Sequence, residues 1–173
     1  WRHRYLEITY SIPEGAYVSY EDCVRQAAQD VGLPASAPET LLRNWANLNA
    51  WSETGNVLLK LRQKGYQLGV VTNCSRERGH VAMARAEEAV TRASGQNFVF
   101  DAAITAEESG FYKPTPQAYT ALLDRMALQP REVLFLAGSS GDVQGATQVG
   151  MAVCWHNKAG LQKKGDVDPL KEA

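Results

Sequence analysis

The chain has 173 residues, 45% of them hydrophobic and 21% charged, with a formal net charge of −1. That length suits one domain with a real core, and the near-neutral charge gives no general attraction to nucleic acid or to an anionic membrane surface. No apolar run approaches a bilayer span, no basic-then-apolar leader is visible, and the three cysteines lack metal-ligand spacing, so a reducing cytoplasm is the expected compartment.

The first half reads as helical. Trp1, Tyr5, Leu6, Ile8 and Thr9 predict a helix already under way at residue 1 and ending near Pro13-Glu14-Gly15. Ser19 can cap a second helix, with Asp22 as a weak capping-box partner and Cys23, Val24, Ala27 and Val31 on its inner face. Gly32-Leu33-Pro34 stops it. A third helix is expected from about Pro38 to Asn47, carrying Leu41, Leu42, Trp45 and Leu48. Residues 1–50 form a helical cap in this reading, and Asn49-Ala50-Trp51-Ser52 crosses back into the main domain.

From residue 51 to 158 the rhythm is α/β. A helix over 53–64, with Val57, Leu58 and Leu61 inward and Gly65 closing it, leads to a strand at 67–72. A helix over 75–93, a strand at 98–104, a Lys-bearing loop and a helix over 116–126 follow. A strand at 133–137, a helix over 142–149 and a strand at 152–155 complete the pattern. Alternation of this kind predicts a Rossmann-like parallel sheet with helices on both faces. The tail, 159–173, is charged and expected to be loosely held, with room for one short helix.

Two strands end in small polar residues, Thr72-Asn73 and Gly138-Ser139-Ser140-Gly141-Asp142, and parallel strands present sites at their carboxyl ends. Between them lies Phe111-Tyr112-Lys113-Pro114-Thr115-Pro116, a Pro-framed loop able to deliver one ammonium group to that edge. Thr72, Asn73, Lys113 and Asp142 therefore form one candidate anion site built from three segments. Plainer roles stand beside this. Asn73 or Ser75 can simply cap the next helix, Asp142 can be an N-cap, Tyr119 a half-buried aromatic, and Arg2 a solvated charge. His3, His80 and His156 have no convincing partners in sequence.

Together, Trp1-Arg2-xxx-Leu6-Glu7-xx-Tyr10, Val71-Thr72-Asn73, Lys113-Pro114 with Tyr119, Gly138–Ala146 and Cys154-Trp155-His156-Asn157 resemble the haloacid dehalogenase superfamily of hydrolases, and within it the L-2-haloacid dehalogenase type. The resemblance implies a Rossmann-like core with a cap inserted after the first strand. It also implies covalent catalysis without a metal or other cofactor: an Asp attacks the halogen-bearing carbon, and water cleaves the aspartyl ester. In that scheme Arg2 binds the substrate carboxylate or the departing halide, and Thr72 and Asn73 hold carboxylate and leaving group. Lys113 orients the nucleophile, while Tyr119, Ser139 and Asp142 complete the polar shell. The implied partner is a small carboxylate; exposed cap aromatics make a homodimer an open expectation.

The chain departs from that pattern in places. Ala137 stands where the type has Ser, Ser139 where it has Asn, and Gly141 where it has a pocket-walling aromatic. A magnesium-dependent phosphatase of the same superfamily is the rival reading. Its second hard carboxylate ligand would fall at Gly138, leaving Asp142 alone in this loop. The nucleophile strand is not in residues 1–173, and its family position is between the strands at 67–72 and 133–137. A longer natural protein, a segment supplied by another chain, and a non-catalytic binding relative all remain open, and the chain as given is expected to be inactive.

Overall fold

The structure, a computed structural model, describes residues 1–13, 15–158, 160–163 and 165–173. Helix α1 (Arg2–Ser11) starts at once; of its expected stop, Glu14 lies outside the described residues. In α2 (Tyr20–Asp30) the Ser19 hydroxyl accepts the Asp22 N–H at 3.1 Å, and Glu21 and Asp22 in the first turn suit the helix dipole. Cys23, Val24 and Ala27 are buried, but Val31 is exposed: it follows the last helical residue, where the chain turns out through Gly32. The third helix is shorter than expected. It spans Ser36–Arg43 (α3), and a 3-10 turn at Trp45–Asn47 follows because the Asn44 side-chain amide donates to the Thr40 carbonyl at 2.8 Å, competing with the helical ladder.

These helices pack on one another and on the rest. Trp1 Nε1 donates to the Val24 carbonyl at 3.0 Å, and Tyr20 makes edge contacts with both Tyr5 and Trp45. Trp45 Nε1 and the Arg78 guanidinium exchange bonds with the Arg78 and Leu42 carbonyls at 2.8 and 2.7 Å. Tyr112 stacks on Tyr17 and donates to the Val18 carbonyl at 2.9 Å.

Helix α4 (Thr54–Gln63) meets α5 (Arg76–Ser94) through Gly55, where an added Cβ would lie 2.4 Å from the Ala89 carbonyl oxygen. That contact turns Val57, two residues on and so on the opposite face, into solvent, contrary to the inward placement expected for it. Strand β1 (Gly69–Thr72) pairs in parallel with β2 (Ala102–Thr105). Residues 98–101 do not join the strand, because the Asp101 carboxylate takes the Leu68 N–H at 2.6 Å and the Arg62 guanidinium at 2.8 Å. A short helix not anticipated, α6 (Ala106–Ser109), follows on a Thr105/Glu108 capping box. Helix α7 (Pro116–Met126), strand β3 (Leu134–Ala137) and strand β4 (Ala152–Trp155) fall where expected.

Helix α8 (Ser140–Val149) begins earlier than expected, with Ser139 as its N-cap residue, so Asp142 sits inside the first turn and is not the cap. The tail also differs. Lys171–Glu172 forms β5 beside β4, and Asn157 pins it by donating to the Leu161 carbonyl at 2.9 Å and Glu172 at 2.7 Å. Ala159 and Lys164 of that segment lie outside the described residues.

All strand pairs are parallel, but among the described residues they form two sheets, β1-β2 and β3-β4-β5. Helices α7 and α8 cover one face: Tyr119, Leu123, Val143 and Ala146 pack with Val153 and Trp155, and Val71 of β1 and Phe135 of β3 join the same cluster. Helix α5 covers the other face of β1-β2 through Gly79, whose missing side chain admits the Thr72 and Thr105 methyls. Strands β1 and β3 thus flank one core without pairing to each other. Leu134 and Leu136 on the far face of β3 are 55% and 59% exposed, an unusual state for a parallel strand.

Candidate active site

The Lys113 loop is held in place from β1. The Asn73 side-chain oxygen accepts the Lys113 N–H at 2.7 Å, and its amide donates to the Lys113 carbonyl at 3.0 Å. Asn73 is therefore a clamp on the loop backbone as well as a lining residue. Lys113 Nζ then reaches Asp142 Oδ2 at 3.2 Å, with side chains only 14% and 10% exposed, and lies 5.6 Å from the centre of the Phe135 ring.

Asp142 accepts from two further side chains. Tyr119 OH gives to its Oδ1 at 2.8 Å, and the Ser139 hydroxyl gives to Oδ2 at 3.1 Å. Burial, then the adjacent Asp142 carboxylate, pushes the Tyr119 phenol far above its ordinary value, so it remains a donor. Gly145 lets this unit close: an added Cβ would sit 2.7 Å from both Pro114 O and Tyr119 OH. Residues 113–119 and 139–142, two segments distant in sequence, thus meet around one carboxylate.

A cavity of about 530 Å³ opens beside this cluster. Its core side is Asn73, Lys113, Pro114, Gly138, Ser139, Gly141 and Asp142. Its other side is α1, where Arg2, Leu6 and Tyr10 recur at four-residue spacing and so share one helix face. Trp1, Tyr5, Tyr20, Val24 and Leu41 add an apolar wall. Tyr5 ties the two sides together by donating to the Asn73 carbonyl at 3.4 Å. The arrangement is suited to a small anion with an apolar body, facing a guanidinium on one side and an ammonium on the other.

Of the residues picked from sequence, Lys113, Asp142, Asn73, Ser139 and Arg2 line this cavity, and Tyr119 supports it from beneath. Thr72 stands apart. Its hydroxyl donates to Cys74 Sγ at 3.2 Å, and it is not in the lining. The backbone donors expected at the start of α5 are taken up by protein: Glu107 accepts the Arg76 N–H at 2.6 Å and Ser75 the Arg78 N–H at 3.5 Å. Trp1, Tyr5, Tyr10 and Leu41 stand in the sequence reading as helix or motif residues, and the apolar wall they form needs the first three helices brought together in space, although the α1 spacing that joins Leu6 and Tyr10 to Arg2 is visible in the sequence. Among the described residues no three His, Cys, Asp or Glu side chains are grouped to hold a metal ion, and no strand carries an aspartate.

A family model for haloacid dehalogenase-like hydrolases matches residues 8–150. The (S)-2-haloacid dehalogenase of Pseudomonas putida is 28% identical over 165 residues, covering 91% of this chain and 69% of that protein. A solved L-2-haloacid dehalogenase superposes with a TM-score of 0.81 at 28% identity, over 99% of this chain and 78% of the other. A solved phosphatase from Thermococcus onnurineus is similar at a TM-score of 0.64 and 25% identity, over 99% of this chain and 74% of that one.

Proposed function

The chain belongs to the haloacid dehalogenase-like hydrolases, and on that premise we propose that it serves the hydrolysis of small 2-halocarboxylic acids. The observation that supports this most is the buried Lys113–Asp142–Tyr119 unit, facing Arg2 across a cavity walled by apolar side chains. Arg2 binds the substrate carboxylate or the departing halide, and Lys113 neutralises and orients an attacking carboxylate. Asp142, fed by Tyr119 and Ser139, fixes the ammonium group in turn. Residues 1–50 act as the cap in this account.

The attacking carboxylate comes from a strand seated between β1 and β3, from outside residues 1–173. The split sheet supports that placement, because such a strand would pair both open edges and end beside Lys113. One carboxylate oxygen forms a bond to C2 as the carbon–halogen bond breaks, and halide leaves with the electron pair. Water then adds to the ester carbonyl, and collapse of the adduct expels a 2-hydroxy acid and restores the carboxylate. The three cysteines carry free thiols and no helix among the described residues is long and apolar enough to cross a membrane; a cytoplasmic site of action is part of the proposal.

The test is halide release from L-2-chloropropionate, with and without chelator, by the 173-residue chain and by the protein carrying whatever its gene encodes ahead of Trp1. The longer form releases halide regardless of chelator, and the shorter form does not. Turnover seen only with phosphate esters and only with Mg²⁺ would move the assignment to the phosphatases, and no turnover by either form would leave a binding protein.

A further inference from the structure

On α1, Tyr10 extends the Arg2–Leu6 face of the cavity lining, and it is 47% exposed. Opposite it is Gly141, in the first turn of α8. A Cβ built on Gly141 would lie 2.6 Å from the Tyr10 hydroxyl, and within 4 Å it would meet nothing except this phenol. Position 141 therefore leaves a space that one side chain, from a different element, fills. Burial, then Asp142, raises the Tyr10 phenol's pKa while Arg2 opposes them, so the ring lies within electrostatic reach of both charged sides of the site.

The geometry points to Tyr10 as a specificity-determining residue: its ring, seated on Gly141, is the wall that limits the length of acyl chain the cavity accepts. This inference rests on the carboxylate-binding reading of the same cavity. Tyr10 and Gly141 both line the cavity, so the phenol sets how far the space reaches between α1 and α8. Removing the phenol joins the space over Gly141 to the cavity. Restoring bulk from the α8 side should rebuild the wall.

The experiment is calorimetric titration of the protein with propanoate and hexanoate, comparing wild type with Tyr10→Phe, Tyr10→Ala, Gly141→Trp and the double variant Tyr10→Ala/Gly141→Trp. Melting curves serve as the fold control. Wild type and Tyr10→Phe prefer the shorter acid. Tyr10→Ala shifts the preference toward the longer acid by about tenfold or more, since each methylene admitted is worth about that much. Gly141→Trp alone weakens both acids, because two rings compete for one space, and the double variant recovers the preference for propanoate. An unchanged order in Tyr10→Ala, or no recovery in the double variant, overturns the role of Tyr10 while leaving carboxylate binding intact. Failure of wild type to bind either acid sinks the functional reading and this inference together.

Discussion

Replacing Lys113 by Met and Asp142 by Asn, singly and together, probes whether the centre of the site is a coupled ion pair. Two unit charges at 3.2 Å, taken at an effective dielectric constant of about 20, attract by about 5 kcal/mol. Both side chains are at least 86% covered, so desolvation cancels much of that gain. A residual coupling of about 2 kcal/mol is expected, inside the usual range for residues in contact. Each single change should cost about 3 kcal/mol, because it leaves an unpaired charge beside Phe135 or under Tyr119. The double change should cost about 4 kcal/mol, less than the sum of the two. Urea unfolding at neutral pH reads this directly, and a coupling of about 2 kcal/mol separates the melting temperatures by about 4–8 °C from the additive expectation. Strict additivity, with either single variant near wild type, would show that the two groups do not act as a pair.

Four further outcomes follow from the same geometry. Tyr119→Phe removes a 2.8 Å donor from a buried carboxylate and should cost about 1.5–3 kcal/mol by urea unfolding; a midpoint equal to wild type would contradict the hydrogen bond's weight. Gly145→Ala forces a Cβ to within 2.7 Å of Pro114 O and Tyr119 OH, so stability should fall by about 1–3 kcal/mol and calorimetric binding of propanoate should weaken with it. Arg2→Ala lies on an exposed position, so the melting temperature should barely move while propanoate affinity drops about tenfold; equal affinity would remove Arg2 from the site. Arg62 holds the Asp101 carboxyl below its ordinary value of 3.8, so this pair stabilises the fold above that pH and the contribution fades as pH falls through the lowered folded value. Asp101→Asn should therefore flatten the acid limb of urea midpoints measured from about pH 5 down to pH 2, and an unchanged limb would argue against the pair.

The alternation of apolar strands with capped helices was enough to locate α2, α7, β3 and β4 and the loop that delivers Lys113, because each is governed by local chemistry: Ser19 at a cap, Pro116 at a first turn, an apolar run of strand length. Elements settled by distant partners were not legible. Asp101 binding Leu68 shortens β2, Gly55 against Ala89 turns Val57 outward, and β5 exists only because β4 offers an edge to Lys171–Glu172. The site shows the same division. Lys113, Asp142 and Asn73 could be grouped from their positions at strand ends, but the role of Asn73 as a clamp depends on a loop 40 residues away. The fit of Tyr10 on Gly141 needs α1 and α8 brought face to face, and nothing local in either segment announces it.

The most direct test of the account is mass spectrometry of the protein quenched after brief mixing with L-2-chloropropionate, in the form carrying whatever its gene encodes ahead of Trp1. The account predicts one propionate unit esterified to an aspartate outside residues 1–173, and no adduct on the 173-residue chain alone. An ester on Asp142, or a thioether on Cys74, would contradict it.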